Sequence, residues 1–221
     1  MLREGEGPER GGRGGLSVVG LLLVVNGVSF LVELALPGWI FPRLALWPLD
    51  AAPADLALPR GMPLGEFHLW QLLSYAFLHG SLFHLAINMF VLWMFGSPLE
   101  RDWGSQRFAI YYVLCVLAAG AVQLVVVSTG DFAPTVGASG GVYALLLAFG
   151  MRYPNRYILL LIPPIPMKAK YFVIVIGLVE LWSGIAGTRQ GVAHFAHLGG
   201  MLAGLALILA WRRPPWSRWR H

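Results

Sequence analysis

The sequence predicts an all-α polytopic membrane protein with six transmembrane helices, a short fourth helix and a long outer first loop. Three observations carry that prediction. The 221 residues are 57% hydrophobic and only 12% charged, against roughly 25% charged in soluble domains, so a soluble core would leave large apolar patches in water. Apolar runs long enough to enter a bilayer recur six times. Threading those runs through a membrane puts 13 of the 16 Lys and Arg on one side. In lipid the backbone must satisfy its own hydrogen bonds, which selects helices. The single cysteine, Cys115, excludes an internal disulfide and a cysteine-based zinc site.

Residues 1–15 form a Gly/Arg-rich tail that is expected to be disordered. Leu16–Leu36 is the first span, too long for the apolar region of a cleaved signal peptide. Pro37–Leu78 is a long connection rich in Pro and Trp, in which Trp39–Leu49 and Phe67–Leu78 read as interfacial stretches. The remaining spans are Leu82–Pro98, Phe108–Ser128, Ser139–Met151, Tyr171–Ala186 and Val192–Trp211, followed by a basic tail, 212–221. The membrane domain is thus residues 16–211. No internal repeat is evident, which argues against an inverted-repeat transporter.

Six spans place both termini on one side. With the termini inside, the inner side carries Arg3, Arg10, Arg13, Arg101, Arg107, Arg152, Arg156, Lys168, Lys170, Arg212, Arg213, Arg218 and Arg220. The outer side carries Arg43, Arg60 and Arg189. This distribution follows the positive-inside rule. The net charge of +5 is therefore a topology signal and implies no nucleic-acid partner. The pattern fits a bacterial plasma membrane with cytoplasmic termini.

Charge at the inner helix ends gives depth, at about 1.5 Å per helical residue. Ser139 lies 13 residues before Arg152, His197 lies 15 before Arg212, and Asn88 lies 13 before Arg101. All three are about 20 Å above the inner boundary, in a core about 30 Å thick. His84 is one turn above Asn88 and shares its helix face. The fourth span is too short to cross, so Thr129–Gly137 must dip into the membrane, where irregular backbone needs protein or water around it. A cavity opening outward follows, with Ser139 at the start of a helix whose first N–H groups lack intrahelical partners.

Each feature also has a plainer explanation. Gly137 and Gly141 have the G-x-x-x-G spacing of packed membrane helices. The G-x-S-x-G match lacks the preceding strand that soluble hydrolases require. A buried histidine is often a satisfied interhelical donor. The arrival of Ser139, His197 and Asn88 at one depth nevertheless favours catalysis, because intramembrane ionisable groups are costly. Glu33 and Glu180 read as structural groups near the outer ends of their spans. His68, His79 and His194 fall near the outer interface, with His79 a candidate brace for the loop. Asp131 would have to fold inward to orient His197. A metal is the weaker alternative, since His84 and His197 supply only two ligands and zinc sites use three or four.

These residues resemble the rhomboid family of intramembrane serine proteases. His84-Leu-Ala-Ile-Asn88 matches the family's H-x-x-x-N, Gly137-Ala-Ser139-Gly140 its G-x-S-G, and Ala196-His197-Leu-Gly-Gly200-Met-Leu-Ala-Gly204 its A-H-x-x-G-x-x-x-G. The resemblance implies Ser139 as nucleophile and His197 as general base, with no cofactor. It implies an oxyanion hole from His84, Asn88 and the Ser139 N–H, with Tyr143 packed on the histidine. In this reading Gly137 turns the loop into the helix, Gly140 and Gly141 leave room for substrate backbone, and Gly200 and Gly204 bring the sixth helix onto the fourth. Glu100 and Arg101 resemble the family's E-x-R region, with Asp102 where arginine is common. Trp70-Gln71 stands where many members have Trp-Arg, a departure that bears on loop bracing. The implied partners are transmembrane protein substrates in the lipid bilayer; nothing in the motifs specifies an oligomeric state. The alternative is a catalytically silent rhomboid-like protein that binds transmembrane helices, which would keep the fold and lose Ser139 or His197.

Overall fold

The computed structural model describes residues 16–50, 63–127, 133–159, 165–187 and 193–211. Both tails lie outside the described residues, as do Arg60, residues 129–132 with Asp131, and Arg189. The protein is mostly helical, and among the described residues five helices are long and apolar enough to cross a membrane. They are α1 (Val18–Ala35), a broken helix Leu82–Trp103, α6 (Ser105–Val127), α8 (Ala169–Ala186) and α9 (His194–Trp211). A shorter helix, α7 (Ser139–Arg152), sits among them and is buried along most of its length.

Local chemistry explains where these helices begin. Ser17 caps α1 by accepting from the Gly20 N–H at 3.0 Å. The buried Glu100 carboxylate accepts from the Val18 and Val19 N–H groups at 2.7 and 2.9 Å. An acceptor anion at a helix N-terminus satisfies orphan donors and meets the positive end of the helix dipole. Glu100 also accepts from the Ser105 hydroxyl at 2.6 Å, so one carboxylate ties three helix ends together. Asp102 instead pairs with Arg152 at 2.7 Å in a partly exposed ion pair.

The second span differs from the expected Leu82–Pro98. It starts as α4 (Leu82–Val91), passes through one π turn (Leu92–Gly96), and continues as α5 (Ser97–Trp103). Pro98 follows directly, inside a backbone that stays right-handed helical through Leu92, Gly96 and Ser97, and it removes one N–H from that run. The wider π turn just before it absorbs the break.

The described parts of the loop after α1 carry short helices. They include α2 (Pro37–Leu44) and α3 (Gln71–Ser74), the latter running into a 3₁₀ turn at Tyr75–Phe77. Trp39 is exposed, whereas Trp47 is buried in a small cluster with Ile40, Phe41, Ala45 and Leu78. Gln71, fully buried, accepts from the Trp47 N–H at 3.2 Å and donates to the Arg43 and Glu66 carbonyls at 3.3 and 2.8 Å. A neutral amide therefore braces this loop by pairing with backbone on both sides.

Two three-residue strands, β1 (Tyr157–Leu159) and β2 (Pro166–Lys168), pair antiparallel between α7 and α8. They correct the all-α expectation. Three residues each, with Pro163, Pro164 and Pro166 nearby, leave too short a period-two pattern to register in the sequence.

The core is centred on α6, α7 and α9. It is filled by Tyr111, Tyr112, Cys115 and Val116 of α6, Ala144, Leu145 and Phe149 of α7, and Leu92, Phe95 and Leu99 of the broken helix. By contrast, Leu21, Val24, Val28 and Leu31 of α1 and Ile174, Leu178, Trp182 and Ile185 of α8 are exposed on the molecule's outside. That outward apolar surface is the pattern lipid demands, and the protein is a multi-pass integral membrane protein.

Candidate active site

Glycine geometry sets the helix spacing at the centre. A Cβ on Gly200 would lie 2.0 Å from the Gly140 carbonyl oxygen, so α9 meets α7 backbone to backbone. On Gly204 it would lie 2.2 Å from the Tyr111 hydroxyl. Small residues at such crossings are what allow membrane helices to approach closely. Gly140 and Gly141 also serve packing, which corrects the expectation that they make room for substrate. Added Cβ atoms there would fall 2.5 Å from Ala119 Cβ and 2.6 Å from Tyr112 Cε2, both on α6.

Gly137 is different. Its φ of +125° is a conformation L side chains rarely adopt, and a Cβ would sit 2.8 Å from His84 Cε1. The segment before it is held by backbone pairing between Leu46 and Thr135, at 3.0 and 2.9 Å. The Gly137 N–H then donates to the Tyr75 carbonyl at 2.9 Å. Loop, first-loop helix and α7 are thereby locked where the chain enters Ser139.

The close α7–α9 crossing brings Ser139 and His197 together. Ser139 Oγ and His197 Nε2 are 2.7 Å apart, and Tyr143 stacks on the His197 ring at a centroid distance of 4.1 Å and 6°. His84 and Asn88 line the same cavity of about 650 Å³ as Ser139, Tyr143 and His197. One Asn88 amide N–H is spent on the His84 carbonyl at 2.9 Å, which leaves the second for the cavity. Ser81 caps α4 by accepting from the His84 N–H at 3.1 Å and so fixes the start of that helix. Phe83 and Ile87 of α4, and Phe172 and Ile176 of α8, give the cavity apolar walls.

Glu180, which the sequence reads as a structural group near the outer end of its span, lies against the histidine. The carboxylate is buried beneath His197, with Oε2 2.9 Å from His197 Nδ1 and 2.6 Å from His194 Nδ1. The Tyr143 hydroxyl donates to its other oxygen. His194, expected near the outer interface, is buried in the same cluster. Glu180, His194 and His197 also form a set with ligand atoms within 4.8 Å of one another, of the carboxylate–imidazole type that zinc uses. This differs from the His84–His197 pair weighed in the sequence. Its atoms already have hydrogen-bond partners in one another. Glu33, a buried acid of α1, accepts from the His79 N–H at 3.0 Å and holds the loop end before α4.

The rhomboid domain model matches residues 66–214, which contain His84, Asn88, Ser139, Tyr143, Glu180, His194 and His197. The chain belongs to the rhomboid family. It is 34% identical over 134 residues to the mitochondrial presenilin-associated rhomboid-like protein of Bos taurus, covering 60% of this chain and 35% of that protein. It is 30% identical over 139 residues to the mitochondrial Rhomboid protein 1 of Saccharomyces cerevisiae, covering 61% and 40%. It is 34% identical over 142 residues to the rhomboid protease GlpG of Serratia proteamaculans, covering 63% and 47%. The chain thus spans less than half the length of each of these relatives.

Proposed function

We propose that this rhomboid is an intramembrane serine endopeptidase that cleaves transmembrane segments near the outer face of the membrane. One observation carries the reading: a serine hydroxyl hydrogen-bonded to an imidazole nitrogen, Ser139 Oγ to His197 Nε2 at 2.7 Å, on the wall of a cavity inside a membrane domain. In the reaction, His197 Nε2 takes the Ser139 proton as Oγ attacks the peptide carbonyl carbon. The carbonyl electron pair moves onto oxygen, facing the second Asn88 N–H, the His84 ring and the Ser139 backbone N–H. Preorganised donors in a water-poor site are worth most where charge develops. The C–N bond then breaks as His197 returns the proton to the leaving amine. Water, deprotonated by the same histidine, hydrolyses the acyl-enzyme and restores Ser139. No step calls for a cofactor.

The apolar walls from α4 and α8 suit a hydrophobic, helix-derived substrate segment that has locally unwound. With α7 counted as a sixth, short span, the charge distribution supports cytoplasmic termini and a site toward the outer leaflet. A plasma membrane is the favoured location on the same grounds. The silent, helix-binding alternative is disfavoured because Ser139 and His197 are both present and paired.

The test is labelling by a fluorophosphonate probe together with cleavage of a model transmembrane substrate in liposomes. Wild-type protein should do both, and Ser139→Ala and His197→Ala should do neither while melting close to wild type. Cleavage by Ser139→Ala at the wild-type rate would sink the serine-protease reading.

A further inference from the structure

The sequence motifs name two residues for proton transfer, yet the structure surrounds His197 with a third group that they do not mention. Glu180 Oε2 lies 2.9 Å from His197 Nδ1, on the side of the ring opposite Ser139. An ionised carboxylate only accepts hydrogen bonds. The Nδ1 facing it therefore carries the proton, and Nε2 presents its lone pair to Ser139 Oγ at 2.7 Å. That is the tautomer a general base needs.

The carboxylate is itself over-determined. It receives the Tyr143 hydroxyl on one oxygen, and His194 Nδ1 at 2.6 Å together with His197 Nδ1 on the other. Three donors from two helices converge on a group that is only 5% exposed. Such convergence compensates a buried anion, which would otherwise be costly to remove from water. The residue after one turn of α9, His197, is thus held between stacking by Tyr143 above its plane and a fixed anion at its edge.

We propose that Glu180 is a positioning residue, making the proton-transfer unit Ser139–His197–Glu180 rather than a serine–histidine pair. This inference rests on the serine-protease reading above. When Ser139 Oγ bonds to the carbonyl carbon, its proton passes to His197 Nε2 and the ring becomes an imidazolium. Its Nδ1–H remains on the ring, and the positive charge is stabilised by the carboxylate 2.9 Å away. Glu180 neither gains nor loses a proton. The same ring returns the Nε2 proton to the leaving amine, so the cycle balances without a further acid or base. The role is that of the aspartate in soluble serine proteases, delivered here from a different membrane helix.

The experiment compares Glu180→Gln and Glu180→Asp with wild type and Ser139→Ala in liposomes. It measures kcat, KM, the fluorophosphonate labelling rate and melting temperature on the same preparations. Gln keeps size and hydrogen bonding but removes the charge. Its kcat should fall by about 100- to 10,000-fold, the upper figure being roughly the loss seen when the acid of a soluble triad is neutralised. Labelling should slow in parallel while KM stays within about twofold, because the change acts on serine activation and leaves the apolar walls intact. Asp, which keeps the charge on a shorter arm, should recover part of that loss. A Glu180→Gln variant with wild-type kcat overturns the proposal. So does a loss that merely tracks the folded fraction, with normal labelling per folded molecule. Cleavage that survives Ser139→Ala would instead overturn the underlying protease reading, so the two failures are distinguishable.

Discussion

Gly200→Ala tests whether the α7–α9 crossing sets the Ser139–His197 distance. The added methyl would lie 2.0 Å from the Gly140 carbonyl oxygen, where ordinary contact begins at 3.4 Å. The obstacle is backbone, so no side chain can swing aside. The helices must separate locally by about 1.4 Å, the difference between those two distances. His197 is three residues earlier on the same helix, and its contact with Ser139 is 2.7 Å. Moving it by that amount gives about 4 Å, beyond hydrogen-bond range. A misplacement of about 1 Å can cost roughly 100-fold in rate, so kcat should fall at least that far. Overpacking should also lower stability by about 1–3 kcal/mol. The assay is cleavage of a model transmembrane substrate, paired with thermal melting of the same sample. Gly27→Ala on α1 is the control, since a Cβ there meets nothing within 4 Å; it should leave both readouts unchanged. Wild-type kcat and melting for Gly200→Ala would refute the reasoning.

Asn88→Ala should lower kcat by about 10- to 1,000-fold with melting nearly intact, as expected for an oxyanion donor; full specific activity in the folded variant would remove it from the site. His79 gives a pH prediction. It is buried in the loop before α4, and burial reinforced by neighbouring His84 pushes its imidazole down to about 4. The unfolded chain binds that proton near pH 6.5, so the contribution is complete above pH 6.5 and is lost as pH falls toward 4. It amounts to roughly 3 kcal/mol. Melting in detergent between pH 7.5 and 4.5 should be flatter for His79→Phe than for wild type, and equal slopes would refute the assignment. For topology, cysteines introduced by Ala54→Cys and Gly12→Cys in a Cys115→Ala background should be labelled from outside intact cells only at position 54; outside labelling at position 12 would reverse the orientation.

The spans were legible because lipid imposes a coarse requirement, a long apolar run, that sequence displays directly. The expected starts at Phe108 and Tyr171 lie at Ser105 and Ala169, shifts of a few residues where polar residues are tolerated in the first turn. What escaped was non-local. The Leu46–Thr135 pairing joins segments 89 residues apart through backbone atoms, which carry no side-chain signature. Adjacency in sequence sets Gly140 and Gly141 beside Ser139. Successive helical residues, however, point about 100° apart, and these two face α6.

Glu180 was missed for a different reason, and the sequence did hold a signal for it. The basic anchors that give the depth of Ser139, His197 and Asn88 have a counterpart in Lys170 on the fifth span. Glu180 lies 10 residues after Lys170, or about 15 Å above the inner boundary, one turn below the level of Ser139 rather than at the outer end. His194 is three residues before His197, a spacing that shares a helix face. Depth and face together would have brought a carboxylate and a second imidazole toward the histidine. They would not have supplied direction, because nothing in α8 alone says which way Glu180 turns. That is decided by donors on α7 and α9, namely Tyr143, His194 and His197. An anion in a membrane interior settles where donors converge, so its position is a property of three packed helices and becomes readable only when all three are in place.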